Sequence, residues 1–309
     1  MDFSSMLIII VGLILFEAVS GFDNAVINAE VLSTMGKKAR RFFLTWGIFF
    51  AVFVVRGLLP WLIVFFTVPS ISFWGAFTAT FSNDPSVTQA IQAAAPILLI
   101  GGGIFLLFLF LHWLFLEQKK IGLQWECFFL RQGVWFYALV SLLLMGVVWF
   151  ALRLDPLLAF GAVVGSTAFF ITHGFRQHAE AMEKRMVGGG ISDVSKVLFL
   201  EVIDLSFSID GVLGAFAFTL SVPLILLGNG IGAVIVRQMT ISNIERLKRY
   251  ALLKNGAMYS ILCLGTIMVA EAFGAHIPEW LAPTLTILII GYFFWKSERG
   301  SAVNASLHA

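Results

Sequence analysis

Phe16-Glu17-Ala18-Val19-Ser20-Gly21-Phe22-Asp23-Asn24-Ala25 places two carboxylates inside an otherwise apolar run. Met6 to Leu15, just before it, carry no charge, and after Asp23 only Glu30 is charged before Lys37. The pattern returns late in the chain as Asp204-Leu205-Ser206-Phe207-Ser208-Ile209-Asp210-Gly211. Each stretch reads acid, five residues, Asp, then an amide or small residue. A charge at the centre of a bilayer costs at least about 2.5–3.5 kcal/mol. Acids held in such surroundings, twice and at the same spacing, point to a membrane protein that uses them.

The composition leads to the same class. Of 309 residues, 59% are hydrophobic and 12% charged, where a soluble domain carries about 25% charged residues. A soluble fold of this length could not cover so much apolar surface. Disorder, coiled coil, a disulfide scaffold and a nucleic-acid binder are excluded; a net charge of +2 offers no field for a phosphate backbone. Cys127 and Cys263 lie far apart and outside any CxxC pattern, so each reads as a small apolar residue. The N-terminal segment lacks the basic start of a cleavable signal and reads as a retained helix.

About 20 apolar residues make one crossing. The sequence supports an all-α, polytopic bundle of about nine spans, at roughly 5–32, 42–67, 93–116, 133–152, 156–173, 194–220, 222–240, 256–274 and 279–296. Basic and non-basic loops alternate between them. Lys37, Lys38, Arg40 and Arg41 follow the first span; Arg176, Lys184, Arg185 and Lys196 follow the fifth; Arg246, Lys248, Arg249 and Lys254 follow the seventh. The positive-inside rule then puts the N-terminus outside and the C-terminus in the cytoplasm, in a bacterial inner membrane. The stretches Thr67–Ala93 and Gly174–Ser192 read as polar loops, the second a flexible linker ending in Gly188-Gly189-Gly190.

The acidic motifs sit in spans one and six, which this topology orients oppositely. The following span of each half carries one arginine, Arg56 and Arg237, and the third carries glycines, Gly101-Gly102-Gly103 and Gly265 with Gly274. The chain therefore divides as a single membrane domain: a first repeat over 1–116, linking spans over 117–193, a second, inverted repeat of three helices over 194–274, and an appended span and tail over 275–309. Inverted repeats with a site at midplane are a transporter architecture.

Five acids, Glu17, Asp23, Glu201, Asp204 and Asp210, exceed what Arg56 and Arg237 can neutralise. The excess is the argument for a cation. Ser20, Asn24, Asn28 and Ser208 add oxygen, and no His, Cys or Met stands within either motif, which suits a hard divalent ion. Glu17, Asn24 and Asn28 share one helix face, as do Asp204 and Ser208, whereas Asp23 and Asp210 fall about 120° away. Gly21 and Gly211 are expected to unwind the helices and swing those Asp side chains back, with substitution at Gly101 milder than at either. Asn229, in Gly228-Asn229-Gly230-Ile231-Gly232, reads as a polar group in a close helix contact that could line a path. Glu271 reads as an outer-side group or exit ligand. His112 and His173 read as interfacial, and His178 as a loop residue.

The paired motifs resemble the TerC family of integral membrane proteins, within the LysE-type transporter superfamily, over spans one to three and six to eight. The resemblance implies divalent-metal export with Mn²⁺ as cargo, and a link to tellurite resistance. It carries Glu17, Asp23, Asn24, Asp204 and Asp210 over as metal ligands, with Arg56 and Arg237 as charge partners; the second half has Gly211 where the first has an amide. The expected activity is secondary transport with H⁺ or Na⁺ as coupling ion, no enzyme activity, no resident cofactor, and partners limited to the lipid bilayer and the cation. Two other readings stand beside it: an intramembrane aspartyl hydrolase with Asp23 and Asp210 as its dyad, and a membrane scaffold for metal or tellurite stress.

Overall fold

A computed structural model describes residues 3–47, 85–117, 123–187, 191–242 and 252–307, with scattered positions between 49 and 75. Among the described residues the protein is all-helical. The elements are α1 (Phe3–Ser20), α2 (Phe22–Ser33), α3 (Lys37–Phe42) running into a π turn at Phe43–Gly47, α4 (Pro85–Leu116), α5 (Gln124–Leu130), α6 (Trp135–Ala151), α7 (Pro156–Val187), α8 (Asp193–Ala215), α9 (Val222–Ser242), α10 (Leu253–Ala272) and α11 (Leu281–Leu307). Four stretches are long and apolar enough to cross a membrane: Phe3–Ser20, Ala93–Leu116, Pro156–His178 and Leu253–Ala272. Trp135–Ala151 and Val222–Val236 are shorter apolar helices. The stretches 93–116, 133–152, 156–173, 194–220, 222–240, 256–274 and 279–296 each fall largely on one helix, 5–32 falls on α1 and α2 in succession, and 42–67 lies mostly outside the described residues.

Parts of two stretches expected to be loops, 85–93 and 174–187, are helix. Gly174–Val187 continues α7, because no proline or cap stops it and Ala179-Glu180-Ala181-Met182-Glu183-Lys184-Arg185-Met186 are good helix formers. At the other loop, α4 begins at Pro85, whose fixed φ and missing N–H suit a first helical turn.

The bundle is apolar outside as well as inside. Ile9, Leu13 and Phe16 of α1, Ile100, Ile104, Phe105 and Phe108 of α4 and Ile261, Leu264 and Met268 of α10 fill the main core. Trp135, Tyr137, Leu142, Met145, Trp149 and Phe150 of α6 are exposed, an arrangement suited to lipid contact. Cations lie over aromatic rings near helix ends, with the Arg299 guanidinium 3.9 Å from the Trp295 ring centre and that of Arg153 5.0 Å from Trp149.

Glycines set the closest helix approaches. α10 packs most extensively on α4 and α1 on α9. A Cβ on Gly103 would lie 3.0 Å from the Gly265 carbonyl oxygen, and one on Gly265 would lie 3.1 Å from that of Gly103. Gly101 faces α7 instead, where a Cβ would come within 3.0 Å of the Gly161 carbonyl oxygen. Gly101 is therefore a backbone-to-backbone crossing.

Candidate functional site

The first acidic stretch is interrupted at a single residue. Gly21 ends α1 at φ −76°, ψ 0°, and α2 resumes at Phe22. The interruption is slight, since Gly21 N–H donates to the Glu17 carbonyl (3.0 Å) and Ala25 N–H to that of Gly21 (3.0 Å). Gly21 has an ordinary φ; its smallness admits Val236 of α9, whose methyl would lie 2.9 Å from a Cβ. At the second acidic stretch, α8 passes through Gly211 without a break. Gly211 was expected to unwind the helix. It serves instead for close approach: a Cβ there would stand 2.6 Å from Glu17 Oε2. Gly232 of α9 closes the other side, where a Cβ would lie 2.6 Å from Glu17 Cβ and 2.8 Å from its Cγ. Glu17, 2% exposed, is thus cradled by α8 and α9.

The helix faces read from the sequence hold. Glu17, Asn24 and Asn28 are all buried, and so are Asp204 and Ser208. Asn28 Nδ2 donates to Asp204 Oδ1 across the α2–α8 seam at 2.9 Å. Ser208 Oγ donates back to the Asp204 carbonyl (2.7 Å), as Ser20 Oγ does to that of Glu17 (3.4 Å). Asn229 donates from Nδ2 to the Gly211 carbonyl at 3.3 Å, so its amide and the Glu17 carboxylate flank the same residue. Among the described residues, Asn24 Oδ1, Asn28 Oδ1 and Asn229 Oδ1 are buried amide oxygens with no hydrogen-bond donor. Such groups are rare in folded proteins unless something else occupies them.

Asp210 faces elsewhere, as its position about 120° from the Asp204 stripe requires. Its Oδ2 pairs with Nη2 of Arg176 on α7. The sequence reading assigned Arg176 to a cytoplasmic loop, because apolar residues thin out after His173; helix continuity was the signal that would have placed it. Of the expected charge partners, Arg56 lies outside the described residues, and Arg237 is in α9 with its side chain outside them. The side chain of Asp23, on α2, is likewise outside. Glu201, half-buried, lies against Gly47, and Glu271 stands half-buried in the last turn of α10.

The remaining polar contacts fasten the inner ends of α2 and α8. Lys196 Nζ, on a buried residue, donates to Thr34 Oγ1 (2.8 Å) and to the Thr34 carbonyl (3.2 Å). Gly36 N–H donates to Asp193 Oδ2 at 3.1 Å. Partner numbers rise along α2 as they fall along α8, so the two helices run antiparallel. Val31, Leu32, Met35, Phe199, Leu200 and Ile203 fill the seam between them.

Two further contacts had not been anticipated from the sequence. His112 and His173, expected at the interface, face each other between α4 and α7 with ring centres 3.8 Å apart, His173 stacking on Phe169 at 5.6 Å. Glu126, fully buried on α5, accepts from Asn255 Nδ2 (2.8 and 2.9 Å), Tyr259 Oη (2.6 Å) and its own N-cap residue Leu123 N–H (2.9 Å). A glutamate at the third helical position reaching back to the cap was its only sequence signal.

Among the described residues no group of three or more His, Cys, Asp or Glu side chains is arranged to hold a metal. Along α8, Asp204 takes the Asn28 amide of α2, and Gly211 is flanked by the Glu17 carboxylate of α1 and the Asn229 amide of α9. The fold and this seam define an all-helical protein with helices suited to a membrane and a buried polar group at the contact of α1, α2, α8 and α9. The chain belongs to the family described as Protein of unknown function (DUF475), whose model matches residues 22–302. No curated protein and no solved structure matches it.

Proposed function

We propose that the protein is a secondary transporter that exports a divalent metal cation, Mn²⁺ foremost, across the bacterial inner membrane. The observation that carries the reading is the polar face of α8: Asp204, 5% exposed, meets Asn28 of α2, Glu17 of α1, 2% exposed, rests against Gly211 seven residues further along, and the amide oxygens of Asn24, Asn28 and Asn229 are buried without donors among the described residues. All these ligands are hard oxygens, which suit Mn²⁺, Mg²⁺ or Ca²⁺ over soft metals. The resemblance of both motifs to the TerC family selects Mn²⁺ among them.

The reading includes nine spans, an inverted repeat, an external N-terminus and a cytoplasmic C-terminus. Reciprocity supports the repeat. Gly103 and Gly265, third-span glycines of the two halves, each approach the other's carbonyl. The first acid of each half also reaches the other half's motif helix, Glu17 at Gly211 and Asp204 at Asn28. A two-fold relation between the halves produces the mutual approach of the glycines; the Asp204 contact falls four residues beyond the position equivalent to Gly211. Glu17, Asp23, Asn24, Asp204 and Asp210 then hold the cation, Ser20, Asn28, Glu201, Ser208, Asn229 and Glu271 line the path, and H⁺ or Na⁺ drives exchange.

An aspartyl dyad is the weaker reading, since Asp210 is engaged by a guanidinium, whereas a dyad carboxylate shares a proton with another carboxylate. The test is cellular Mn²⁺ content and growth under excess Mn²⁺, with wild type, Asp23→Asn and Asp210→Asn. Lower Mn²⁺ in cells with the wild type alone is the expected result. Equal Mn²⁺ in all strains contradicts export.

A further inference from the structure

The pair between Arg176 and Asp210 has a consequence for transport. Both side chains are largely buried, at 16% and 11% exposure. Asp210 immediately precedes Gly211, the residue against which the Glu17 carboxylate rests. Arg176 reaches Asp210 only because α7 runs on past His173 to Val187. The guanidinium therefore occupies a carboxylate oxygen one residue from the Glu17 contact, among groups shielded from water.

We propose that Arg176 is a tethered stand-in for the cargo, competing with the divalent cation for Asp210. This rests on the transport reading above and names how that site is regulated. A guanidinium and a divalent ion on one buried carboxylate repel each other, so each weakens the other's hold on it. An Asp210 carboxylate left with neither would be a buried, uncompensated charge, which is costly. Arg176 removes that cost in the empty carrier and must give way when cargo arrives. The guanidinium stays charged at any pH the protein meets, so it serves as a permanent competitor. A competitor that holds a site nine-tenths of the time weakens the apparent affinity about tenfold. A pair that served only to fasten α7 to α8 would have no such effect on a cation.

The experiment is Mn²⁺ titration by calorimetry of the purified full chain, as wild type, Arg176→Gln, Arg176→Lys and Asp210→Asn, with melting followed with and without Mn²⁺. Arg176→Gln is expected to bind Mn²⁺ at least about tenfold more tightly than wild type. It should melt lower without Mn²⁺ and gain more from Mn²⁺ than wild type does. Arg176→Lys, which keeps the charge but loses the planar fork, should fall between the two. Asp210→Asn should bind Mn²⁺ more weakly. Mn²⁺ affinity equal to or weaker than wild type in whichever Arg176 variants fold overturns the competition while leaving the cation site standing. Absence of Mn²⁺ binding in wild type and every variant removes the transport reading itself, and the competition with it.

Discussion

Gly232→Ala and Gly230→Ala differ by two positions on one helix and should differ sharply in stability. A Cβ on Gly232 would lie 2.6 Å from Glu17 Cβ, 2.8 Å from its Cγ and 3.0 Å from the Ile14 carbonyl oxygen, whereas nothing lies within 4 Å of one on Gly230. Carbon atoms pack best at about 3.5–4.0 Å. The atoms met by Gly232→Ala are the stem of Glu17 and the backbone of α1, so relief requires α1 and α9 to separate by about 1 Å. Overpacking of this kind costs about 1–3 kcal/mol. Both substitutions also gain about 0.5–1 kcal/mol by replacing helical glycine. That gain cancels between them, leaving a difference of about 1–3 kcal/mol in favour of Gly230→Ala. Unfolding of the purified chain by SDS in mixed micelles, followed by tryptophan fluorescence, measures it. Equal stability of the two variants, within about 0.5 kcal/mol, would refute the close contact of α1 with α9 and with it the cradle around Glu17.

Three further outcomes follow from the polar contacts. Asn28→Ala removes the donor to buried Asp204 and should cost about 1.5–3 kcal/mol in the same SDS assay, the range for a hydrogen bond to a charged group; Asn28→Gln should recover part of it. Glu126→Gln turns an amide toward the Asn255 amide that now donates to the carboxylate, and should destabilise the α5–α10 contact by about 1–3 kcal/mol; amide exchange in α5 should accelerate with it. Joining Thr34→Cys to Lys196→Cys by oxidation should arrest transport reversibly if the inner ends of α2 and α8 part during the cycle, and undiminished flux through the oxidised protein would show that they stay together.

The sequence made the helices and the packed glycines legible because both leave local signals. Long apolar runs marked the spans, and Gly228-x-x-x-Gly232 marked a close contact, which falls on α1 at Leu13 and Glu17. The burial of Glu17, Asn24 and Asn28 on one face, and of Asp204 and Ser208 on another, followed from helical periodicity alone. Arg176 was missed because hydropathy reports where apolar residues end, and a helix can continue past that point. Gly211 was misassigned because glycine signals either unwinding or close approach, and only the position of Glu17 distinguishes them. The Glu126 network joins residues more than 120 positions apart, so no spacing rule reaches it.

In the proposed transporter the buried carboxylates of Glu17 on α1 and Asp204 on α8 carry a divalent cation. Reconstitution of the full chain in sealed vesicles, with radiolabelled Mn²⁺ flux measured for wild type, Glu17→Gln and Asp204→Asn, tests it most directly. Saturable Mn²⁺ flux is expected through wild type, with at least about a tenfold loss in each variant. Flux that survives both substitutions unchanged, or wild-type vesicles no more permeable to Mn²⁺ than empty ones, would contradict it.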